Sequence, residues 1–111
     1  MTYKVERSEE FTAAFSEAVD YVCNTLCSPR AAKAILDEMD HQVDLLSEQP
    51  SWFPVDRLMS ERFGIDIYRA SVRSYTVFYM ISEPTKTVHL ITFRHRAQDI
   101  STFIDRELHE N

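Results

Sequence analysis

Glycine and proline are scarce in this sequence, and it has no long apolar run. The 111 residues include one glycine, four prolines and two cysteines. So little glycine and proline is typical of a compact protein rather than of a disordered or low-complexity segment. No apolar run approaches the roughly 20 residues that a membrane-spanning helix needs, and the amino terminus lacks the apolar stretch of a signal peptide. We therefore expect a cytoplasmic protein with no membrane partner.

The composition that remains describes one folded domain. Hydrophobic residues make up 44% of the chain and aromatic residues 12%, which is enough to bury a modest single core without disulfide or metal staples. We expect a single domain spanning residues 1–111. Cys23 and Cys27 lie four positions apart on a predicted helix, and in a reducing compartment both are expected to be reduced core residues.

Charge is distributed unevenly along the chain. The formal net charge is -6, and residues 1–60 hold 5 basic and 11 acidic side chains. Residues 62–96 instead hold six basic and two acidic side chains. An acidic protein is a poor generic nucleic-acid binder, but a local group of arginines can still engage an anionic partner at short range. The pattern predicts acidic helices and a basic sheet.

Two amphipathic helices are predicted in the first half of the chain. Residues 2–7 alternate between apolar and polar and predict a short first strand, and Ser8 predicts the N-cap of a helix that runs to about Leu26. Ser28 and Pro29 end this helix and begin the next, since serine caps a helix and proline suits its first position. The predicted core-facing positions are Phe11, Phe15, Ala18, Val19, Val22, Cys23 and Leu26 in the first helix, and Ala32, Ile35, Leu36, Met39, Val43 and Leu46 in the second.

The second half of the chain predicts an antiparallel sheet. Residues 47–62 contain two prolines and predict a loop that Trp52 and Phe53 tie to the edge of the core. Three runs rich in β-branched and aromatic residues, at 65–72, 75–81 and 88–95, have short links and predict a meander. Residues 98–108 carry apolar residues at helical spacing and predict a short C-terminal helix. The expected fold class is α+β, with a short first strand, an antiparallel two-helix hairpin, a three-stranded antiparallel meander and this last helix.

Both faces of the predicted middle strand are largely apolar. One face carries Tyr75, Val77, Tyr79 and Ile81, and the other carries Thr76, Phe78 and Met80. The helix hairpin can cover one face. The other face needs a cover from a terminal element or from a partner chain.

The order of these elements, with the residues at their joints, resembles the RelE/ParE superfamily of bacterial type II toxins, which implies roles in plasmid stabilization and growth inhibition. The resemblance extends from Tyr3 to about Phe103. It rests on the run Ser-Pro-Arg-Ala-Ala-Lys-Ala-Ile-Leu at residues 28–36, on residues 69–79, and on residues 88–100. It implies a RelE/ParE-like fold and the toxin role of a toxin–antitoxin system.

The superfamily has two mechanisms, and the residues here resemble the ParE-like branch more closely. RelE-like members are ribosome-dependent mRNA endonucleases, whereas ParE-like members inhibit DNA gyrase and are not known as hydrolases. Many nucleases carry an arginine on the middle strand and a tyrosine near the carboxy terminus. Thr76 and the pair Arg96 and Ala97 take those places here, and none of them can act as a general acid near neutral pH. The ending Arg-Ala-Gln-Asp-Ile at residues 96–100 is similar to ParE-like sequences.

The candidate site residues are basic and aromatic residues of the predicted sheet. The resemblance implies that the target or the antitoxin is bound by Arg69, Arg73, Tyr75, Arg94 and Arg96. If a nuclease site exists, its candidates are Arg69, Arg94, His95 and Arg96, because arginines can hold a phosphate and a histidine can exchange a proton. The alternative interpretation of the arginines is that they are solvated strand-end charges paired with acidic neighbours.

No metal or cofactor is expected. The helix face with Asp37, His41 and Asp44 has metal-compatible spacing but is interpreted as a solvated face. The resemblance implies one partner, a cognate antitoxin with an acidic and apolar tail. It implies DNA gyrase as the target, or the ribosome and mRNA in the nuclease alternative. A second alternative is a degenerate, non-toxic binding module.

Overall fold

The computed structural model describes residues 2–96. Its elements follow the order β1 (Lys4–Arg7), α1 (Glu9–Asp20), α2 (Pro29–Glu48), α3 (Arg57–Phe63), β2 (Tyr68–Val72), β3 (Tyr75–Ser82) and β4 (Thr87–His95). A π-helical turn, Tyr21–Thr25, extends α1, and a 3-10 turn, Pro50–Trp52, lies between α2 and α3. The α+β class and the helix hairpin are confirmed. The C-terminal helix predicted at residues 98–108 lies outside the described residues.

The sheet has four strands in the order β1-β4-β3-β2. The meander β2-β3-β4 is antiparallel, as predicted, and β1 adds a parallel strand at the edge of β4 with Val5 paired to Val88. The first meander strand was predicted from residue 65 but begins at Tyr68. The reason lies in the backbone of Ile67, whose N–H donates to the Ser60 hydroxyl and whose carbonyl accepts from the Asp56 N–H. Both groups are therefore committed to α3 and its N-cap.

The main core lies between the helix hairpin and one face of the sheet. Its buried residues include Phe11, Ile35, Met39, Leu46, Val72, Val77, Tyr79, Leu90 and Phe93. Ser8 and Ser28 cap the two helices as predicted, since their hydroxyls accept from the N–H groups of Phe11 and Ala31. The stripe prediction is wrong for Leu36, which is 43% exposed, and for Leu26, which is 56% exposed.

The error at Leu26 follows from the π-helical turn. The Leu26 N–H donates to the carbonyl of Tyr21, five residues earlier, at 3.0 Å. Such a turn inserts one residue relative to an α-helix, so the period that placed Leu26 on the core face no longer holds. Two residues after the turn, Cys27 has a φ of 51° and is exposed. The prediction of a core position is therefore wrong for Cys27, whereas Cys23 packs against the core.

Helix α3 replaces part of the loop predicted at residues 47–62, and that loop prediction is wrong there. The Asp56 carboxylate accepts from the Met59 N–H at 2.9 Å and caps the helix. Gly64, the single glycine, ends it in the left-handed region with a φ of 73°, a conformation that glycine adopts without the penalty of a β-carbon. Both residues are standard helix boundary signals.

The second face of the sheet is covered in part by α3. Met59, Ile67 and Phe78 form a second buried cluster, with Phe63, Met80 and Ile91 packed against it. This internal helix was not predicted; the expected cover by a terminal element falls on residues 98–108, outside the described residues, and cover by a partner chain stays a prediction. The prediction that Trp52 ties the loop to the core is wrong, since Trp52 is 74% exposed, while Phe53 packs against the core as predicted.

Candidate functional site

The hairpin of β3 and β4 sets where the predicted site residues lie. Cross-strand pairing places Tyr75 opposite His95 and Thr76 opposite Arg94. Because side chains alternate between the faces of a strand, these two pairs start from opposite faces of the sheet. Tyr75 lies on the helix side, where its ring stacks on Phe93 with centroids 4.8 Å apart.

A cleft of about 260 Å³ lies on the other side of the hairpin, and we call it the basic cleft. It is lined by four residues singled out from the sequence, Arg69, Arg94, His95 and Arg96, together with Asp56, Thr76 and Phe78. All four nuclease candidates line this cleft, although the His95 ring itself packs against Tyr75 toward the helix side. Three arginines and a histidine around one cleft can hold an anionic group.

Two carboxylates offset much of the positive charge in the basic cleft. Arg94 Nη2 donates to Glu10 Oε2 at 2.8 Å, and the side chains of Arg94 and Glu10 are 20% and 30% exposed. Arg69 Nη1 lies 3.7 Å from Asp56 Oδ1. Two of the three arginines are thus matched within the chain, and only a small positive excess is left for a ligand.

Arg73 lies apart from the other candidates. It occupies the β2–β3 turn with a φ of 54°. Its backbone N–H donates to Glu38 Oε2 at 2.7 Å, and its guanidinium lies 4.0 Å from the other oxygen of that carboxylate. This arrangement ties the turn to α2. Arg73 lines neither the basic cleft nor its neighbour described next, and its role in binding stays a prediction.

A second cleft of about 400 Å³ lies on the helix side of the hairpin, and we call it the aromatic cleft. Ala14, Glu17, Ala18 and Tyr21 contribute its helix wall, and Tyr75, Phe93, Arg94 and His95 its sheet wall. His95 packs edge-on against Tyr75 with ring centroids 5.2 Å apart. Burial raises the pKa of the Tyr75 hydroxyl, and the neighbouring Tyr21 raises it further. Tyr75 therefore stays a neutral hydrogen-bonding group at physiological pH.

Three important residues of the two clefts escaped the sequence analysis. Neither Glu10 nor Tyr21 was singled out from the sequence. Asp56 was assigned to a loop, although it precedes a helix that ends at Gly64 and so carried a recognisable N-cap signal. Nothing in the sequence pattern pairs Glu10 with Arg94, which is 84 residues away.

The described residues offer no assembled metal centre. Within residues 2–96, no group of three histidine, cysteine, aspartate or glutamate side chains could hold a metal ion. On the face of α2 considered above, Asp37 instead accepts from Lys33 at 2.8 Å. In the same range no helix is both long and apolar enough to cross a bilayer.

The fold defines a small α+β domain whose mixed sheet carries two clefts at one end of the β3–β4 hairpin. A family model described as the ParE toxin of the type II toxin-antitoxin system parDE matches residues 5–100. The chain therefore belongs to the ParE toxin family. A comparison with curated protein sequences gave no significant match.

Solved structures with the same fold include RelE toxins. The RelE–RelB complex from the archaeon Pyrococcus horikoshii has a TM-score of 0.56 at 20% identity, covering 89% of this chain and 100% of that one. The toxin–antitoxin complex RelBE2 from Mycobacterium tuberculosis has a TM-score of 0.59 at 19% identity, covering 88% and 95%. A double arginine mutant of Escherichia coli RelE in the free state has a TM-score of 0.55 at 16% identity, covering 96% and 94%. At these identities the similarity establishes the fold.

Proposed function

We propose that this ParE-family toxin arrests growth by acting on DNA gyrase and that a cognate antitoxin neutralises it. The family match over residues 5–100 supports the ParE-like rather than the RelE-like mechanism. In this proposal the chain is an inhibitor that binds its target and performs no hydrolysis. The clefts at the end of β3 and β4 then serve as contact surfaces.

The observation that carries the proposal is the internal pairing of the basic cleft. RNA cleavage needs positive charge on the pentavalent phosphate and an acid to protonate the leaving oxygen. Here Glu10 binds the mostly buried Arg94 at 2.8 Å, and Asp56 lies 3.7 Å from the half-exposed Arg69, so part of the positive charge is offset within the chain. Thr76 stands opposite Arg94 at the position where many nucleases carry an arginine. This chemistry favours binding over catalysis.

One observation favours the nuclease as a second candidate. His95 lines the basic cleft beside Arg69, Arg94 and Arg96. A histidine next to three arginines is the minimum set for holding a phosphate and exchanging a proton. The candidate function is ribosome-dependent mRNA cleavage, with His95 as the acid or base.

The proposed antitoxin contacts the basic side of the sheet. Two of the similar structures are complexes of a toxin with its antitoxin, which supports a partner of this kind here. Arg69 is half exposed, and Arg96 is exposed, so both are accessible to acidic side chains. An antitoxin tail with acidic and apolar residues fits this surface, because disordered tails commonly fold onto such faces.

The test compares both targets with the same purified chain. Gyrase is incubated with relaxed and supercoiled plasmid, and cleavage complexes are trapped with detergent; in parallel, translating ribosomes are scored for cut transcripts. The proposal expects gyrase cleavage complexes or loss of supercoiling, with intact transcripts. Cut transcripts that disappear in a His95→Gln variant, with unaffected gyrase, would establish the second candidate instead. Inactivity in both assays together with tight antitoxin binding would indicate a non-toxic binding module.

A further inference from the structure

The aromatic cleft has the size of a pocket for one long side chain. Ala14 and Ala18 lie one helical turn apart on α1 and leave room between this helix and the ends of β3 and β4. The volume of about 400 Å³ is at the lower end of the range for small-ligand pockets. The cleft can therefore accommodate one long inserted side chain.

The walls of the cleft are aromatic rings held in defined orientations. The Tyr75 ring is nearly parallel to Phe93, at an interplanar angle of 13°, and His95 meets it at 88°. Tyr21, the first residue of the π-helical turn, is 52% exposed. Phe93 covers one face of the Tyr75 ring, and an exposed tyrosine face, such as that of Tyr21, attracts cations through the ring quadrupole.

The charges around the aromatic cleft also favour a cation. Glu17 lies on its helix wall and is exposed. Arg94 is the arginine of the lining, and its guanidinium is bound to Glu10 at 2.8 Å. Glu10 thus offsets the Arg94 charge, and Glu17 is the carboxylate among the lining residues. Helix α1, which contributes most of the helix wall, carries four acidic residues and no basic one.

We infer that the aromatic cleft is a docking site for an arginine or lysine side chain presented by a protein partner. The cation lies against the rings of Tyr21 and Tyr75, with Glu17 as its counter-ion. The inference rests on the proposed function only in taking the partner to be a protein. The aromatic cleft, on the helix side of the β3–β4 hairpin, thus prefers cations, whereas the basic cleft on the other side prefers anions. A partner segment that crosses the end of the hairpin thus needs a basic residue on one side and an acidic residue on the other.

The test measures the charge preference of the cleft directly. The full chain, labelled for NMR at its tyrosine rings, is titrated with three blocked tripeptides that differ only in the central residue: arginine, its neutral isostere citrulline, or glutamate. The arginine peptide is expected to shift the Tyr21 and Tyr75 ring resonances saturably, with an affinity at least several-fold above that of the citrulline peptide. Equal binding of the two, tighter binding of the glutamate peptide, or no saturable shift would each overturn the inference.

Two surface variants separate the contributions without disturbing the core. Glu17→Gln and Tyr21→Ser are each expected to weaken binding of the arginine peptide by about two- to fivefold, the range for an exposed ion pair or cation–π contact. Glu9→Gln removes the same charge from α1 outside the cleft and is the matched control, expected to bind the arginine peptide as the unmodified chain does. If Glu9→Gln weakened binding of the arginine peptide as much as Glu17→Gln does, net charge rather than the cleft would be what attracts the peptide. Because no step involves gyrase or an antitoxin, a negative result here leaves the proposed function intact, and failure of the gyrase assay leaves this test unaffected.

Discussion

Arg94 and Glu10 form an ion pair that joins the last strand to the first turn of the first helix. The distance from Nη2 to Oε2 is 2.8 Å, and the same carboxylate oxygen accepts from the buried Thr92 hydroxyl at 2.8 Å. One carboxylate therefore satisfies two donors of β4. It also lowers the positive charge of the basic cleft, so this pair bears on both stability and ligand preference.

Replacing Glu10 by glutamine is expected to destabilise the fold. The neutral amide removes the Glu10 charge that lies 2.8 Å from the mostly buried Arg94, at a cost of about 1–3 kcal/mol in the free energy of unfolding. Urea unfolding followed by far-ultraviolet circular dichroism measures this, since the exposed Trp52 is a poor fluorescence probe. The exposed neighbour Glu9→Gln is the control and should change the free energy by less than about 0.5 kcal/mol. Equal effects of the two variants would refute a special role for Glu10.

The same Glu10→Gln variant is expected to bind polyanions better, provided that it is assayed where it is fully folded. Removing the carboxylate restores one unit of positive charge to the basic cleft. Affinity for a short single-stranded RNA at low salt should rise by about two- to fivefold, and the gain should vanish at high salt. Fluorescence anisotropy with a labelled oligonucleotide measures both. No gain at low salt would show that the cleft does not contact the nucleic acid.

Reversing the charge of Arg69 is expected to weaken the complex with the antitoxin. Arg69→Glu places a second carboxylate near Asp56, 3.7 Å from the present guanidinium, and repels an acidic tail. A rise of at least tenfold in the dissociation constant is expected if the tail crosses this surface. Calorimetric titration with the antitoxin tests it. Arg30→Glu, an exposed charge reversal at the start of α2, is the matched control, and unchanged affinity of the Arg69 variant would remove the tail from this site.

The buried Tyr79 hydroxyl is expected to make the protein lose stability at alkaline pH. Tyr79 is buried, its hydroxyl donates to the Pro50 carbonyl, and burial followed by the nearby Tyr68 raises its pKa. A raised pKa in the folded state means that the neutral tyrosine stabilises the fold below its unfolded pKa of about 10. That contribution is lost as pH rises from there through the folded pKa.

Tyr79→Phe should therefore destabilise the protein at neutral pH and flatten its alkaline response. Loss of the hydrogen bond, with the buried Pro50 carbonyl left unsatisfied, costs about 1–3 kcal/mol near pH 7. The difference between the two proteins should shrink above about pH 10, where ionisation penalises the unmodified chain alone. Urea unfolding at several pH values measures this difference. A difference that stays constant across this range would contradict the assignment.

Replacing Gly64 by alanine is expected to destabilise the protein for a conformational reason. A β-carbon built there has nothing within 4 Å, so crowding contributes nothing. The left-handed φ of 73° is what alanine disfavours, and the expected loss is about 1 kcal/mol of unfolding free energy. Thermal unfolding of Gly64→Ala against Glu61→Ala, an exposed site on the same helix, measures it. A Gly64 variant as stable as the control would show that α3 does not end in this conformation.

The elements that depend on patterns among neighbouring residues could be predicted from the sequence. The elements that depend on contacts between distant residues could not. Ser8, Ser28 and the three β-rich runs fixed the hairpin and the meander, because caps and alternation are properties of neighbouring residues. The parallel pairing of β1 with β4 joins residues more than 80 positions apart, as Lys4 with Thr87, and leaves no local trace. The π-helical turn also leaves no mark in the spacing of apolar residues, and it accounts for the exposure of Leu26.

The residues of the candidate site were likewise predictable only in part. Arg69, Arg94, His95 and Arg96 were found from the sequence because they end strands that the meander aligns. Glu10 and Asp56 were missed because their part in the basic cleft exists only after α1 and α3 have packed against the sheet. These two carboxylates decide how much charge is available to a ligand, so the chemistry of the cleft depends on the folded structure.

The central claim is tested most directly by the growth of a bacterial culture after tightly controlled induction of this chain. Growth is compared with and without co-expression of the neighbouring gene, which is expected to encode the antitoxin. The account predicts growth arrest with loss of plasmid supercoiling, and it predicts that co-expression of the neighbouring gene relieves both. Uninterrupted growth, with soluble full-length protein confirmed and supercoiling unchanged, would contradict the assignment of a gyrase-directed toxin.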